Sequence, residues 1–106
     1  MNSYIDFKTI GQLIHGKKGE IQIGNDAFEF HDDNNGCIEI KWNRIQRVRI
    51  KVLSDLIEGI YIEYDGKVLA FTSKDNISLL KAMRRYLKRE QFIKDKTFIQ
   101  KLTGKA

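Results

Sequence analysis

The sequence predicts a mainly β domain closed by a C-terminal helix, and three observations carry that expectation. Short runs of alternating apolar and polar residues recur about seven times before residue 73. Turn signals rich in Gly, Asn and Asp separate most of these runs. After Ser73 the apolar period changes from two to about 3.6, the repeat of a helix with one buried face.

Ile5 and Phe7 alternate with polar positions, so residues 1–8 hold a short strand or a packed arm. Residues 9–15 (TIGQLIH) read as a strand of weak alternation. Gly11 inside it marks a bulge or a close backbone approach, because a glycine weakens a strand unless the space above it is taken. A turn at residues 16–19 leads to Ile21 and Ile23, which share one face. The Gly24-Asn25-Asp26 turn joins this run to Phe28 and Phe30, again inward, with Glu29 outward. The next turn, residues 32–36 (DDNNG), ends in an Asn-Gly pair suited to positive φ.

Residues 37–52 (CIEIKWNRIQRVRIKV) are the central stretch. Ile38, Ile40 and Trp42 share one face, and Glu39 and Lys41 the other. Cys37 reads as a small buried apolar residue at the start of this strand. Asn43 and Arg44 interrupt the pattern. It resumes with Val48, Ile50 and Val52 inward and Arg47, Arg49 and Lys51 outward. Residues 53–58 read as a loop, and Ile60, Ile62 and Tyr64 form the next inward row. Asp65-Gly66 is a two-residue hairpin signal before the last run, KVLAFT.

Ser73, Asp75 and Asn76 offer N-cap side chains, and the spacing predicts a helix over 76–89. Leu79, Leu80, Met83, Tyr86 and Leu87 form its apolar stripe, opposite Lys81, Arg84, Arg85 and Lys88. Residues 91–106 read as a weaker amphipathic helix, with Phe92, Ile93, Phe98, Ile99 and Leu102 among Lys94, Lys96, Lys101 and Lys105. The expected organisation is one domain over 1–90, with a basic tail over 91–106. Strands of this number and length leave an open end that a one-striped helix plugs. That is the arrangement of a pleckstrin-homology-like or GRAM-like barrel of about seven antiparallel strands capped by an amphipathic helix.

Three segments in order and spacing carry a family resemblance: GEIQIGNDAFEF (19–30), IEIKWNRIQRV (38–48) and FTSKDNISLLKAMRRYL (71–87). Together they resemble the small ManO-type proteins, a domain-of-unknown-function family typically encoded beside mannose-class sugar phosphotransferase permeases. The resemblance implies an accessory or regulatory role at such a permease and supplies no catalytic residues. This chain departs from the family's pattern at Lys41 and Asn76, where prolines are usual. It departs again at the acidic-flanked loop of residues 53–58, where a more basic and aromatic connection is common.

Composition narrows the function classes further. The 106 residues carry a formal charge of +5, unevenly placed. Residues 81–106 hold nine Lys and Arg against two acids, so the rest of the chain is slightly acidic. A basic end of this kind favours a polyanion, an anionic membrane surface or an acidic protein. The start, MNSYIDFK, lacks the basic and long apolar segments of a signal peptide. No apolar run approaches the ~18 residues of a membrane-spanning helix. With a single cysteine, the expectation is a cytoplasmic protein, with the inner face of the membrane as a peripheral site.

No nucleophile elbow, phosphate loop or HExxH is present, so the expectation is a non-enzyme. His15, His31 and Cys37 show no paired spacing, so no metal or other cofactor is expected. Trp42 reads as a core anchor. The expected contact surface is Lys81, Arg84, Arg85, Lys88, Arg89, Phe92, Lys94, Lys96, Phe98 and Lys101, with Arg47, Arg49 and Lys51 as a secondary face. The partner expected there is a phosphotransferase permease component or an anionic membrane surface. The alternatives are a nucleic-acid-binding regulator and an anionic-lipid module. Nucleic acid is disfavoured because the aromatics fall at inward strand positions and no helix-turn-helix pair is present.

Overall fold

The structure, a computed structural model, describes residues 4–95. Eight strands form one sheet: β1 (Ile5–Leu13), β2 (Lys18–Gly24), β3 (Ala27–Asp32), β4 (Cys37–Lys41), β5 (Ile45–Leu53), β6 (Leu56–Tyr64), β7 (Lys67–Ser73) and β8 (Phe92–Asp95). Among the described residues one α-helix, α1 (Asn76–Met83), follows β7. The strand order is β4-β3-β2-β1-β7-β6-β5-β8. Two antiparallel meanders, β1 to β4 and β5 to β7, are thus joined through the pairing of β1 with β7. A short 3-10 turn at Trp42–Arg44 carries the chain from the first meander to the second.

The sheet is strongly bent, and one contact shows it. Phe28 on β3 and Phe71 on β7 have ring centroids 5.2 Å apart. In the sheet they stand three strand intervals apart, about 14 Å if it were flat. The inward rows of both meanders therefore face each other across one core. Ile21, Ile23, Phe28, Phe30 and Ile40 come from one half, and Val48, Ile50, Ile60, Ile62, Leu69 and Phe71 from the other. Leu79, Ala82, Met83 and Leu87 cover the open end of that core. The predicted inward rows are thus the observed ones.

Four expectations are corrected. The sheet does not close into a barrel: β4 and β8 stand at opposite ends of the strand order and are not hydrogen-bonded to each other. Residues 53–58 are not a loop. Only Ser54 and Asp55 turn, with Ser54 at φ 59°, and β6 starts at Leu56. The helix stops at Met83 instead of residue 89, and the amides of Arg85 and Tyr86 bond three residues back, to Ala82 and Met83. Finally, part of the predicted helical tail is a strand. Phe92–Asp95 pairs in parallel with β5, placing Phe92 beside Val48 and Asp95 beside Lys51. Gln91 locks that register by donating its side-chain amide to the Ile45 carbonyl at 2.9 Å. The rest of the predicted tail helix, residues 96–106, lies outside the described residues.

Turn chemistry accounts for the remaining joints. Asp65 and Gly66 both take positive φ (49° and 74°), as a tight hairpin requires. Gly11 pairs in regular register with Gly19 and Ser73, so it marks a close approach and no bulge. A Cβ there would run into the Ile21 side chain. Gly19 is tighter still, since a Cβ would run into the His31 carbonyl and lie 2.8 Å from the Asp32 Cα. In the β3–β4 turn Asp32 accepts from the Asn34 amide at 2.7 Å and the Gly36 amide at 2.9 Å. Those backbone donors, with Lys17 beside them, hold its carboxyl below the usual value of 3.8. No helix of the described residues is long and apolar enough to cross a membrane.

Two predictions follow from these joints. Gly19→Ala forces rigid backbone to move and is expected to lower stability by about 1–3 kcal/mol in urea unfolding. The folded state lowers the Asp32 pKa, so this carboxylate stabilises the protein above its unfolded pKa and stops doing so as pH falls through the folded one. Asp32→Asn is therefore expected to be less stable than the parent near neutrality. The gap in urea midpoints should shrink as the solution is acidified below the ordinary carboxylate range.

Candidate functional site

The basic segment that follows the core-facing side of α1 is built from the helix start onward. Asp75 caps α1, accepting the Ser78 amide at 3.1 Å. Leu79, Ala82 and Met83 turn into the core, packing against β1, β2 and β7. That burial leaves Lys81 on the opposite, exposed side. After Met83 the chain continues in turns, and tertiary anchors take over from the helix. Leu87 is buried, and the Tyr86 ring stacks on Trp42 with centroids 4.9 Å apart and planes 13° apart. The Tyr86 hydroxyl donates to the Asp6 carboxylate on β1. That bond, with burial and the nearby Tyr4 behind it, pushes the Tyr86 pKa well above its usual value.

Arg84, Arg85, Lys88 and Arg89 are all exposed around this anchored segment. Arg85 reaches the same Asp6 carboxylate at 3.5 Å. Lys81, Arg84, Lys88 and Arg89 make no ion pair among the described residues. An open cleft of about 550 Å³ lies beside them, with Trp42, Ile45, Tyr86 and Leu87 as its apolar wall and Lys88 and Gln91 at its rim. Trp42 is the core anchor its pattern predicts: it is 8% exposed and its indole N–H donates to the Gly24 carbonyl at 2.8 Å.

The predicted contact residues do not all share this place. Phe92 is half-buried and packs on the core from β8, because its parallel pairing with β5 turns it inward. Lys94 is exposed on β8. Lys96, Phe98 and Lys101 lie outside the described residues. The secondary row is neutralised where it stands. Arg47 and Arg49 both bind Glu63, at 3.0 and 2.7 Å, and Arg49 also reaches Asp95 at 3.5 Å. Lys51 lies 3.8 Å from Glu58. Arg49 additionally sits 5.4 Å from the centre of the Tyr61 ring. Strand register sets these partners, since Arg47 stands opposite Glu63 and Arg49 opposite Tyr61.

A cluster on the other half of the sheet escaped the reading of spacings. Cys37 is exposed instead of buried, because Ile38 and Ile40 point inward and strand alternation sends Cys37 and Glu39 outward. The hairpin places it directly opposite His31. Glu29, two residues before His31, joins the same outer face, and the three ligand atoms lie within 4.8 Å of one another. Linear spacing could not show this. The signal available was the hairpin turn between two alternating runs, which fixes the partner of each outward residue.

Trp42 gives the sharpest test of the anchored segment. Trp42→Ala removes the ring, the stack and the bond to Gly24, and is expected to cost about 3–5 kcal/mol by thermal or urea unfolding. Trp42→Phe keeps an aromatic face against Tyr86 but leaves the Gly24 carbonyl without its partner. It is expected to cost less, about 1–3 kcal/mol.

Comparisons with known proteins agree with the fold and add no activity. A crystal structure titled the C-terminal domain of an unknown protein from Leishmania infantum is similar, with a TM-score of 0.68 at 13% identity. The match covers 79% of this chain and 84% of that one. At that identity the likeness concerns the fold alone. No curated protein matches the sequence. The family model described as Domain of unknown function (DUF956) matches residues 1–105, and the chain therefore belongs to that family.

Proposed function

We propose that this protein is a non-enzymatic binding module that docks its basic segment on an acidic face of a partner protein. On the resemblance to ManO-type proteins, that partner is a cytoplasmic component of a mannose-class sugar phosphotransferase permease, and the role is accessory or regulatory. The observation that carries the reading is the contrast between two basic surfaces. Arg47, Arg49 and Lys51 are each matched by a carboxylate of the same fold. Lys81, Arg84, Lys88 and Arg89 are exposed and make no ion pair among the described residues. Charges left uncompensated in this way steer an oppositely charged partner and set its orientation. The apolar wall beside Lys88 gives such a partner a place to bury a side chain.

The finer fold assignment belongs to the same proposal. A four-stranded meander, a three-stranded meander and a helix directly after them support a pleckstrin-homology-like or GRAM-like relationship, with β8 as an added edge strand. In this reading the bent sheet is a rigid mount that holds the segment after α1 in one geometry. A membrane surface close to the permease adds about 1 kcal/mol for each lysine that reaches anionic lipid.

The test is recovery of permease components on the full chain, with and without Lys81→Ala, Arg84→Ala, Lys88→Ala and Arg89→Ala combined. The expected result is recovery that weakens with added salt and is lost in the combined variant. Equal recovery by both proteins, or none by the parent, overturns the reading. Flotation with anionic vesicles and a salt-titrated gel shift are run alongside. Binding confined to either one transfers the segment to lipid or to nucleic acid.

A further inference from the structure

The outer face of the β3–β4 hairpin is chemically unlike the rest of the molecule. Phe28, Phe30, Ile38 and Ile40 take the inner face, so Glu29, His31, Cys37 and Glu39 share the outer one. Register sets His31 opposite Cys37 and Glu29 opposite Glu39. On β2, Glu20 stands opposite His31. An imidazole and a thiol are thus set among three carboxylates.

The distances fit a small cation. His31 Nε2 lies 2.7 Å from Glu29 Oε1 and 3.9 Å from Cys37 Sγ. Tetrahedral zinc, with bonds of about 2.0–2.3 Å, sets its ligand atoms about 3.4–3.6 Å apart. The sulfur and nitrogen are therefore close to the separation required. The carboxylate must move away from the imidazole and toward the sulfur by roughly 1–2 Å, within reach of a partly exposed glutamate side chain. His31 and Glu29 side chains are 40% and 31% exposed, so an ion can reach them. The backbone needs no change, because paired strands already hold the three positions.

We propose that Glu29, His31 and Cys37 form a binding site for a divalent transition metal of the zinc class, with water in the fourth position. The donor set selects among metals. One thiolate, one imidazole and one carboxylate suit zinc or cobalt and disfavour magnesium and calcium, which take oxygen ligands. The charges of Glu29, Glu39 and Asp32 lie near the Cys37 sulfur. Those same carboxylates attract the ion. On binding, the thiol proton passes to solvent and the sulfur enters as thiolate. Three protein ligands on an edge hairpin, with the fourth position facing solvent, leave room for a ligand atom from a partner or substrate.

The test uses the full chain, free of any affinity tag, reduced and stripped with a chelator. It is titrated with Co(II) as a spectroscopic probe and then with Zn(II) in competition. One equivalent of Co(II) is expected to give a thiolate-to-cobalt charge-transfer band in the near ultraviolet, which Zn(II) abolishes. Cys37→Ser is expected to lose the band, and His31→Ala and Glu29→Gln to weaken binding. His15→Ala, remote in sequence and on no part of this face, is expected to match the parent. All four changes are on surface side chains, and circular dichroism checks that each variant stays folded. Absence of the band in the parent, or unaltered affinity in folded His31→Ala, overturns the proposal.

Discussion

Phe28 against Phe71 is the contact on which the rest of this fold depends. A flat sheet of eight strands would leave its apolar face in water. Bending brings β3 over β7, and two half-cores become one. Burial of the large side chains on both inner rows, at about 25 cal/mol for each Å² of apolar surface, is the driving term for that bend. It also sets the shape of everything outside the core. The two edges stay apart, one end of the core stays open, and α1 fills it with Leu79, Ala82 and Met83. The glycines on the bent strands follow from the same constraint. Gly11 and Gly19 lie where side chain or backbone occupies the space a Cβ would need.

The two outer surfaces have different relations to that core. On β5 and β6 the outward charges answer one another across the register, so Glu63 binds two arginines and the face is internally settled. After α1 the arrangement is reversed. Tyr86 and Leu87 are spent on anchoring, through Trp42, Asp6 and the core, and the basic residues before and after them are left facing solvent. Anchoring of this kind matters for recognition, because charges on a fixed segment lose less entropy on binding than charges on a free one. On the β3–β4 hairpin, the donors that could hold an ion are fixed by strand pairing in the same manner. The protein therefore carries a basic surface after α1 and an acidic, thiol-bearing surface on the β3–β4 hairpin of one bent sheet.

Much of this architecture was legible in the residues. Period-two alternation located the seven strands of the two meanders, and the inward rows such as Ile21/Ile23 and Ile60/Ile62 are buried as their pattern requires. Asp65-Gly66 and the change of period after Ser73 marked a hairpin and a helix. The basic residues after α1 could be named from charge alone. The partners of Arg47 and Arg49 depended on register, which sets Glu63 opposite Arg47.

Other features depended on long-range contacts that no local pattern encodes. The apolar spacing of Tyr86 and Leu87 continues a helix perfectly well, yet the helix ends at Met83, with Tyr86 held by Trp42 and Asp6 and Leu87 buried in the core. Phe92 and Ile93 fit a helix face as readily as a strand, and the free edge of β5 decided for the strand. Cys37 looked like a core residue by type, while the alternation of its own strand placed it outside. Its meeting with His31 and Glu29 is a matter of register across a hairpin. Local periodicity dictates which face of an element is apolar, because burial acts residue by residue. Where an element ends, and which outward side chains meet, is settled by partners distant in the chain, and only the folded arrangement brings those partners together.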